Sequence, residues 1–253
     1  MDAEERRRGI LETARRSGSV DVGKLAAELG VSKETVRRDL NLLEAQGLVR
    51  RTHGGAHPVE SAGFETTLAF RTTEHVPEKS RIAAAAAALL GDAETVYIDE
   101  GYTPQLIAAA LPRDRPLTVV TSSLATAADL ASAQNITALL LGGRVRGGTQ
   151  ATIDHWATRM LSHFAIDLAY VGANGISREY GLTTPDPAVS EVKAEVMRVA
   201  KRRVFSGVHT KFGAASFCRF ANVTDFEAIV TDTGLHASEA RRYALLGPQV
   251  IQA

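Results

Sequence analysis

The chain has a single cysteine, Cys218, in 253 residues, so it can form neither an intrachain disulfide nor a cysteine-based metal cluster. It has no net charge: 29 Lys and Arg offset 29 Asp and Glu, so no global basic field exists and any nucleic acid must be met by local clustering. No apolar run reaches membrane-spanning length, and the alanine run at 83–88 is too short and sits in an amphipathic helical pattern. The N-terminus is rich in arginine and acidic residues and lacks an apolar signal core. No repeat at solenoid periods, nucleophile elbow, P-loop or metal-ligand spacing occurs. His155 and His163 share one expected helix, but no third ligand accompanies them. With 45% apolar and 23% charged residues, the expectation is a soluble cytoplasmic protein of one or two domains, with no cofactor, metal or membrane partner.

What is present begins with Val31–Gly47. Ser32 is a good N-cap, and Val36, Leu40 and Leu43 form one apolar stripe at i, i+4 and i+7. The opposite face centres on Glu34, Arg38 and Asn41, flanked by Lys33, Thr35 and Arg37, and Gly47 stops the helix. Such a helix has the dimensions and donors to enter a major groove. Upstream, residues 4–16 read as a helix with Ile10, Leu11 and Ala14 inward and Arg6, Arg7 and Arg8 outward. A second, shorter helix carries Val22, Leu25, Ala26 and Leu29 and ends at Gly30. Helix, helix, tight turn, helix is the order of a helix-turn-helix. Residues 48–55 follow as a glycine-closed hairpin whose Arg50, Arg51 and His53 make a basic wing. Either arginine pair alone could be solvated charge; two pairs flanking this pattern favour double-stranded DNA.

Residues 58–77 read as a connector, with Pro58, Ser61, Gly63 and Pro77 and scattered Phe64, Leu68 and Phe70, laid on a neighbouring surface. The expected domains are therefore 1–57, a winged head, and 78–253, an effector-sensing and oligomerisation domain. In the second, apolar strands at 95–99, 117–121, 136–141, 167–171, 203–208, 227–231 and 249–251 alternate with helices, the pattern of a doubly wound, mainly parallel α/β sheet. Ligands of such sheets collect beyond the carboxyl ends of the strands. There the chain has Asp99-Glu-Gly-Tyr-Thr103, with Thr103 as a cap before Pro104, then Thr121-Ser122-Ser123 and Gly142-Gly143 followed by Arg144 and Arg146. Gly172–Gly175, Gly181–Thr184, Lys193 and Lys211 add to the same rim. Singly, each is more simply a turn, a cap or a solvated side chain; together they describe an anion site for a phosphorylated small molecule. An isomerase-like enzyme, with Asp99 or Glu100 and Lys211 moving a proton, is the competing reading.

The run VSKETVRRDLNLLEAQGLVRRTHGGA at 31–56 resembles the N-terminal domain of DeoR-family transcriptional regulators. The resemblance implies a winged helix-turn-helix with Thr35, Arg37 and Arg38 on DNA and the wing contributing Arg51 and His53; the residue pattern adds Ser32, Lys33 and Asn41. It extends through DEGYT (99–103), VTSSL (120–124), GGRVR (142–146), GANGI (172–176), GLTT (181–184), Val192-Lys193 and TKFG (210–213). Those segments are similar to the family's sensor domain, whose fold is akin to the sugar-phosphate isomerase and CoA-transferase group. The implied effector contacts are Asp99, Gly101, Tyr102, Thr103, Thr121, Ser122, Ser123, Gly142, Gly143, Arg146, Asn174, Lys193 and Lys211. Tyr102, Ser122 and Val208 depart from the family pattern and imply a narrower or differently charged effector. The whole implies a repressor that binds operator DNA as a homo-oligomer, dimer or tetramer, with the alanine-rich helix at 82–90 a candidate interface.

Overall fold

The computed structural model describes residues 2–45, 48–59 and 65–253. The expected helix stop at Gly47 and the connector residues Ser61, Gly63 and Phe64 lie outside the described residues. Two compact units form, Met1–Arg71 and Thr72–Ala253.

In the first unit, α1 (Ala3–Ser17) starts at Asp2, whose carboxylate accepts from the Glu4 and Glu5 amides, and ends at Gly18. After β1 (Val20–Asp21), Asp21 caps α2 (Val22–Leu29), and Gly30 at φ 64° closes it in the left-handed conformation. The third helix, α3 (Lys33–Ala45), follows at once. Strands β2 (Val49–Thr52) and β3 (Gly55–Pro58) pair antiparallel, and β1 adds to the free side of β3. Gly55 is required there, because a Cβ on it would lie 2.1 Å from the Val20 carbonyl oxygen of β1. Ile10, Leu25, Val36, Leu40, Leu43 and Val49 share one core, each worth about 1.5–3 kcal/mol on burial. One expectation fails: Arg6 does not point into solvent. Its guanidinium grips Asp39 of α3 at 2.6 and 3.3 Å, with Arg7 3.8 Å away, because Asp39 falls on the buried side of α3 and needs a cation. In the connector, the short α4 (Leu68–Arg71) buries Leu68, and Arg71 pairs with Glu65 at 2.6 Å.

The second unit opens with α5 (Val76–Ala87), whose alanine-rich inner face, with Ile82, Ala83 and Ala86, lies in the core. It is followed by β4 (Thr95–Ile98), α6 (Tyr102–Ala110), β5 (Leu117–Thr121), α7 (Leu124–Leu130) and β6 (Ile136–Leu140). A hairpin of β7 (Arg144–Arg146) and β8 (Ala151–Ile153) leads to α8 (His155–Leu161) and β9 (Ile166–Val171). Next come β10 (Gly175–Ser177), β11 (Gly181–Thr184), α9 (Pro187–Val199), β12 (Ala200–Ser206), β13 (Cys218–Ala221), β14 (Ala228–Thr231), α10 (Ala237–Ala244) and β15 (Gln249–Gln252). Seven strands form one parallel sheet in the order β15-β14-β12-β9-β4-β5-β6. Side chains alternate between its two faces: Val96, Ile98, Val119, Leu168 and Tyr170 pack beneath α5, α6 and α7. Tyr97, Val120, Ala169, Val171 and Phe205 pack on the other face with α8, α9 and α10.

The doubly wound parallel sheet is therefore as expected. An antiparallel sheet, β10-β11-β13, was not anticipated, because its strands have three or four residues and include glycines. The first strand-end helix also starts earlier than Thr103-Pro104 implied: Gly101 is the N-cap of α6, at φ 111° and without a side-chain cap.

Candidate functional site

On the head, α3 turns Val36, Leu40 and Leu43 inward and leaves Ser32, Lys33, Arg37, Arg38 and Asn41 exposed. Ser32 caps the helix as expected: its Oγ accepts from the Thr35 amide at 3.1 Å and lies 2.9 Å from the Thr35 hydroxyl. Arg37 is 3.6 Å from Glu34, an exposed pair of little energetic weight. Arg38 is exposed on the same face. Arg51, expected on the wing, is also engaged within the head. Its guanidinium donates to the Gly55 carbonyl (3.1 Å), the Arg37 carbonyl (3.3 Å) and Asn41 Oδ1 (2.5 Å), and its amide donates to Glu44 (2.8 Å). One side chain thus locks the hairpin to α3 and orients Asn41. His53 is exposed in the hairpin turn, beside Gly54 at φ 89°. Sequence reasoning missed the parts played by Asp39 and Glu44. The signal for Asp39 was available: an acid one residue before Leu40 and three after Val36 lies beside the apolar stripe.

In the second unit the strand order reverses between β4 and β9, the only switch point of the seven-stranded sheet. Asp99 leaves β4 there and accepts from the Gly172 amide at the end of β9, at 2.8 Å. Lys193 of α9 comes up beneath them, ion-paired with Asp99, donating to the Gly172 carbonyl at 3.2 Å and lying 5.6 Å from the Phe220 ring centroid. Asp99 and Lys193 are 1% and 2% exposed, so each charge is offset by the other and the pair forms a closed floor. Asp99, one of the two carboxylates that the isomerase-like reading set beside Lys211, is paired with Lys193 instead. Tyr97 reaches the same carboxylate at 3.5 Å and Ser122 Oγ at 3.3 Å; burial pushes its phenol well above the ordinary range, so it stays a neutral donor.

Two residues beyond Asp99, Gly101 is the N-cap of α6 without a side-chain bond, and Tyr102 and Thr103 open the helix. Lys79 of α5, 7% exposed, donates to the Glu74 carbonyl at 2.5 Å and sits 5.6 Å over the Tyr102 ring. Glu100 is buried beside them in sequence. Thr121 Oγ1 accepts from the Ser123 amide (3.0 Å) and Ser123 Oγ from the Thr126 amide (3.2 Å), so these hydroxyls shape the β5–α7 turn, with Ser123 the expected cap. Asn174 is half-buried, its amide donating to the Thr183 carbonyl at 2.9 Å. Lys211 is half-buried in a 3-10 turn, His209–Lys211.

The remaining rim residues lie on the side of the β7–β8 hairpin, which meets the β5–α7 turn through a bridge between Ser123 and Ala151. Gly142 and Gly143 follow β6, two strands or about 10 Å across the sheet from β4. They line a separate open groove of about 510 Å³ with Arg144, Asp154, Trp156 and Met160. A Cβ on Gly143 would lie 2.2 Å from the Ile153 carbonyl oxygen, so that glycine serves the β7–β8 hairpin. Arg146 turns to Asp186 (3.2 Å) and Thr149 (3.2 Å). A further pair went unnoticed in the sequence: Asp232, after β14, accepts from the His209 amide (2.7 Å) and ring (2.6 Å) and the Gly234 amide (3.0 Å). Burial pushes its carboxyl up, but those bonds outweigh it and hold it below the ordinary range. His75, at φ 53° before α5, packs edge-on with His209, their ring centroids 5.7 Å apart. Among the described residues no His, Cys, Asp and Glu cluster could hold a metal ion, and no helix is long and apolar enough to cross a membrane.

Comparison with known proteins agrees with both halves. Residues 6–62 match the DeoR-like helix-turn-helix domain, and residues 74–233 match the DeoR C terminal sensor domain. The chain is 33% identical to the HTH-type transcriptional regulator GlpR of Haloferax volcanii over 98% of its own length and 96% of the relative's. It is 30% identical to the glycerol-3-phosphate regulon repressor of Escherichia coli K12 over 92% of each chain. A ribose 5-phosphate isomerase A from Methanocaldococcus jannaschii overlaps 53% of each chain at 16% identity and a TM-score of 0.37, a likeness too distant to bear on function. The winged head with its exposed arginines, the doubly wound sensor sheet and the two family matches together place this chain in the DeoR family, as a DNA-binding transcriptional regulator.

Proposed function

We propose that the protein is a repressor whose hold on operator DNA is set by a small phosphorylated metabolite bound at the β4–β9 switch point. The observation that carries this is the start of α6 at Gly101, without a side-chain cap and two residues beyond Asp99 of the buried Asp99–Lys193 pair. Main-chain amides and the helix dipole there favour an anion, and the neutralised floor does not repel it. The effector rests against Asp99 and Lys193 and meets Gly101, Tyr102, Thr103, Ser122, Asn174 and Lys211 from above. Tyr102 narrows the space, which excludes the common hexose phosphates. The name of the E. coli relative, a glycerol-3-phosphate regulon repressor, supports both the repressing sign and a phosphorylated effector.

On the head, Arg37, Arg38 and Asn41 face base edges, while Ser32, Lys33, Thr35 and His53 meet phosphates, with Arg51 holding the wing in register. Two heads of a homo-oligomer grip two operator half-sites. The effector acts only through its difference in affinity between the two head placements. The test is a thermal-shift screen of phosphorylated metabolites on the full chain. A ligand at about 100 times its Kd adds about 2.7 kcal/mol, or about 5–10 °C of Tm. Lys211→Ala abolishes that shift and leaves operator affinity unchanged. Failure of every phosphorylated compound to shift Tm, or tight calorimetric binding of glucose or fructose phosphates, overturns the respective half of the proposal.

A further inference from the structure

The sheet ends at β6, and that edge is dressed for a partner. In the ladder with β5, the Leu117 amide donates to the Asn135 carbonyl and the Leu141 amide to the Thr121 carbonyl, with Val119 opposite Ala138 and Thr121 opposite Leu140. In a parallel ladder this leaves the N–H and C=O of Ala138 and Leu140 pointing away from the sheet. Leu139 is 37% and Leu140 41% exposed, one on each face of the strand. Soluble proteins blunt such an edge with lysine, proline or a bulge. Residues 136–141 carry no charged residue and no proline, and the β5–β6 register runs unbroken. At the opposite edge, β15 has glutamine at both ends, and Gln252 donates to the Leu235 carbonyl at 2.7 Å.

We propose that β6 is where a second copy of this chain pairs, antiparallel, about a two-fold axis passing at Leu139. Centring the axis on Leu139 sets the two exposed leucines of the strand, Leu139 and Leu140, against the other copy, whereas an axis on Ala138 would pair outward backbone too but place Leu139 opposite Thr137. Ala138 of one copy faces Leu140 of the other as a hydrogen-bonded pair, twice over, so these four outward groups of each copy are satisfied by those of the other. Leu139 then faces its own symmetry mate as a non-hydrogen-bonded pair, the closest cross-strand approach in a sheet. Leu140 covers Ala138 of the other copy on the opposite face. A two-fold pairing of sensor domains makes one continuous sheet from two copies.

The experiment uses the full chain without DNA or ligand, so its outcome does not depend on the effector or operator reading. A Leu139→Cys variant in a Cys218→Ser background is oxidised with diamide and run on a non-reducing gel. Two cysteines at a non-hydrogen-bonded pair have Cα atoms about 4.5 Å apart, within disulfide range, so the chain doubles in mass. Leu245→Cys, at a position 82% exposed on another part of the domain, is the control and stays single. Sedimentation of Leu139→Lys, which sets like charges face to face, shows the dimer weakened by about 100-fold or more. Its circular dichroism stays that of the wild type. A wild type that sediments as a monomer overturns the proposal. So does a dimer in which Leu139→Cys crosslinks no better than Leu245→Cys.

Discussion

Lys193→Met is the most informative single change to the sensor domain. The side chain it replaces is 3% exposed, the Asp99 carboxylate opposite is 1% exposed, and each is the other's only opposite charge among the ion pairs of the described residues. Methionine fills a similar volume but leaves Asp99 buried with the Gly172 amide and the Tyr97 hydroxyl as its remaining donors. Removing one member of a buried pair costs about 3–5 kcal/mol, because the partner's charge is left without compensation. For a unit of this size each kcal/mol moves Tm by about 2–4 °C, so the variant unfolds roughly 6–20 °C below the wild type. Asp99→Asn, made on top of Lys193→Met, removes the stranded charge while keeping an acceptor for Gly172. The double variant recovers most of the loss, and the cycle gives a coupling energy of at least about 2 kcal/mol. Differential scanning calorimetry of the four proteins measures it. Additive losses, or a single variant within about 2 °C of the wild type by the same conversion, would refute the closed floor.

Three further outcomes are expected. Arg38→Ala weakens binding to the cognate operator by about 1–3 kcal/mol in fluorescence anisotropy, with little effect on unrelated duplex; equal losses on both would mean a phosphate contact instead. Gly55→Ala, which drives a Cβ into the Val20 carbonyl, destabilises the head by about 2–4 kcal/mol in urea, whereas Gly54→Ala, at φ 89°, costs about 1–2 kcal/mol from backbone strain alone. Acid stability depends on Asp167 and Asp232. Lys201 and the hydroxyl and amide of Thr95 hold Asp167 far below its ordinary value of 3.8, and Asp232 is held down by His209 and Gly234 against the effect of burial. A depressed carboxyl contributes stability that is present above 3.8 and lost as pH falls through the folded value. Asp167→Asn therefore lowers Tm at neutral pH and flattens its decline in acid; an unchanged slope would show that Asp167 carries none of it.

Much of the head could be foreseen because its determinants are local. Ser32 caps α3 through its neighbour three residues on, Gly30 and Gly54 supply left-handed turns, and the stripe of Val36, Leu40 and Leu43 follows from helical period alone. The alternation of apolar strands with helices likewise announced a doubly wound sheet, since strands buried on both faces must be apolar throughout. Strand-end residues were harder to sort. Gly142 and Lys193 look equally like ligand contacts in a linear pattern, yet one belongs to an edge groove and the other to a neutral floor.

Period, capping and turn chemistry act over a few residues, and so the chain alone settles most of its helices and strands and the outward face of α3. Contacts across the fold follow a different logic. Arg6 with Asp39, Arg51 with Asn41, and Asp99 with Lys193, 94 residues apart, are pairings in which a buried or crowded polar group takes whichever partner packing brings to it. The order β15-β14-β12-β9-β4-β5-β6, which puts the switch point beside Asp99 and β6 at an edge of the sheet, is a choice among topologies that strand sequences share. It was made by burying both faces of the sheet at once.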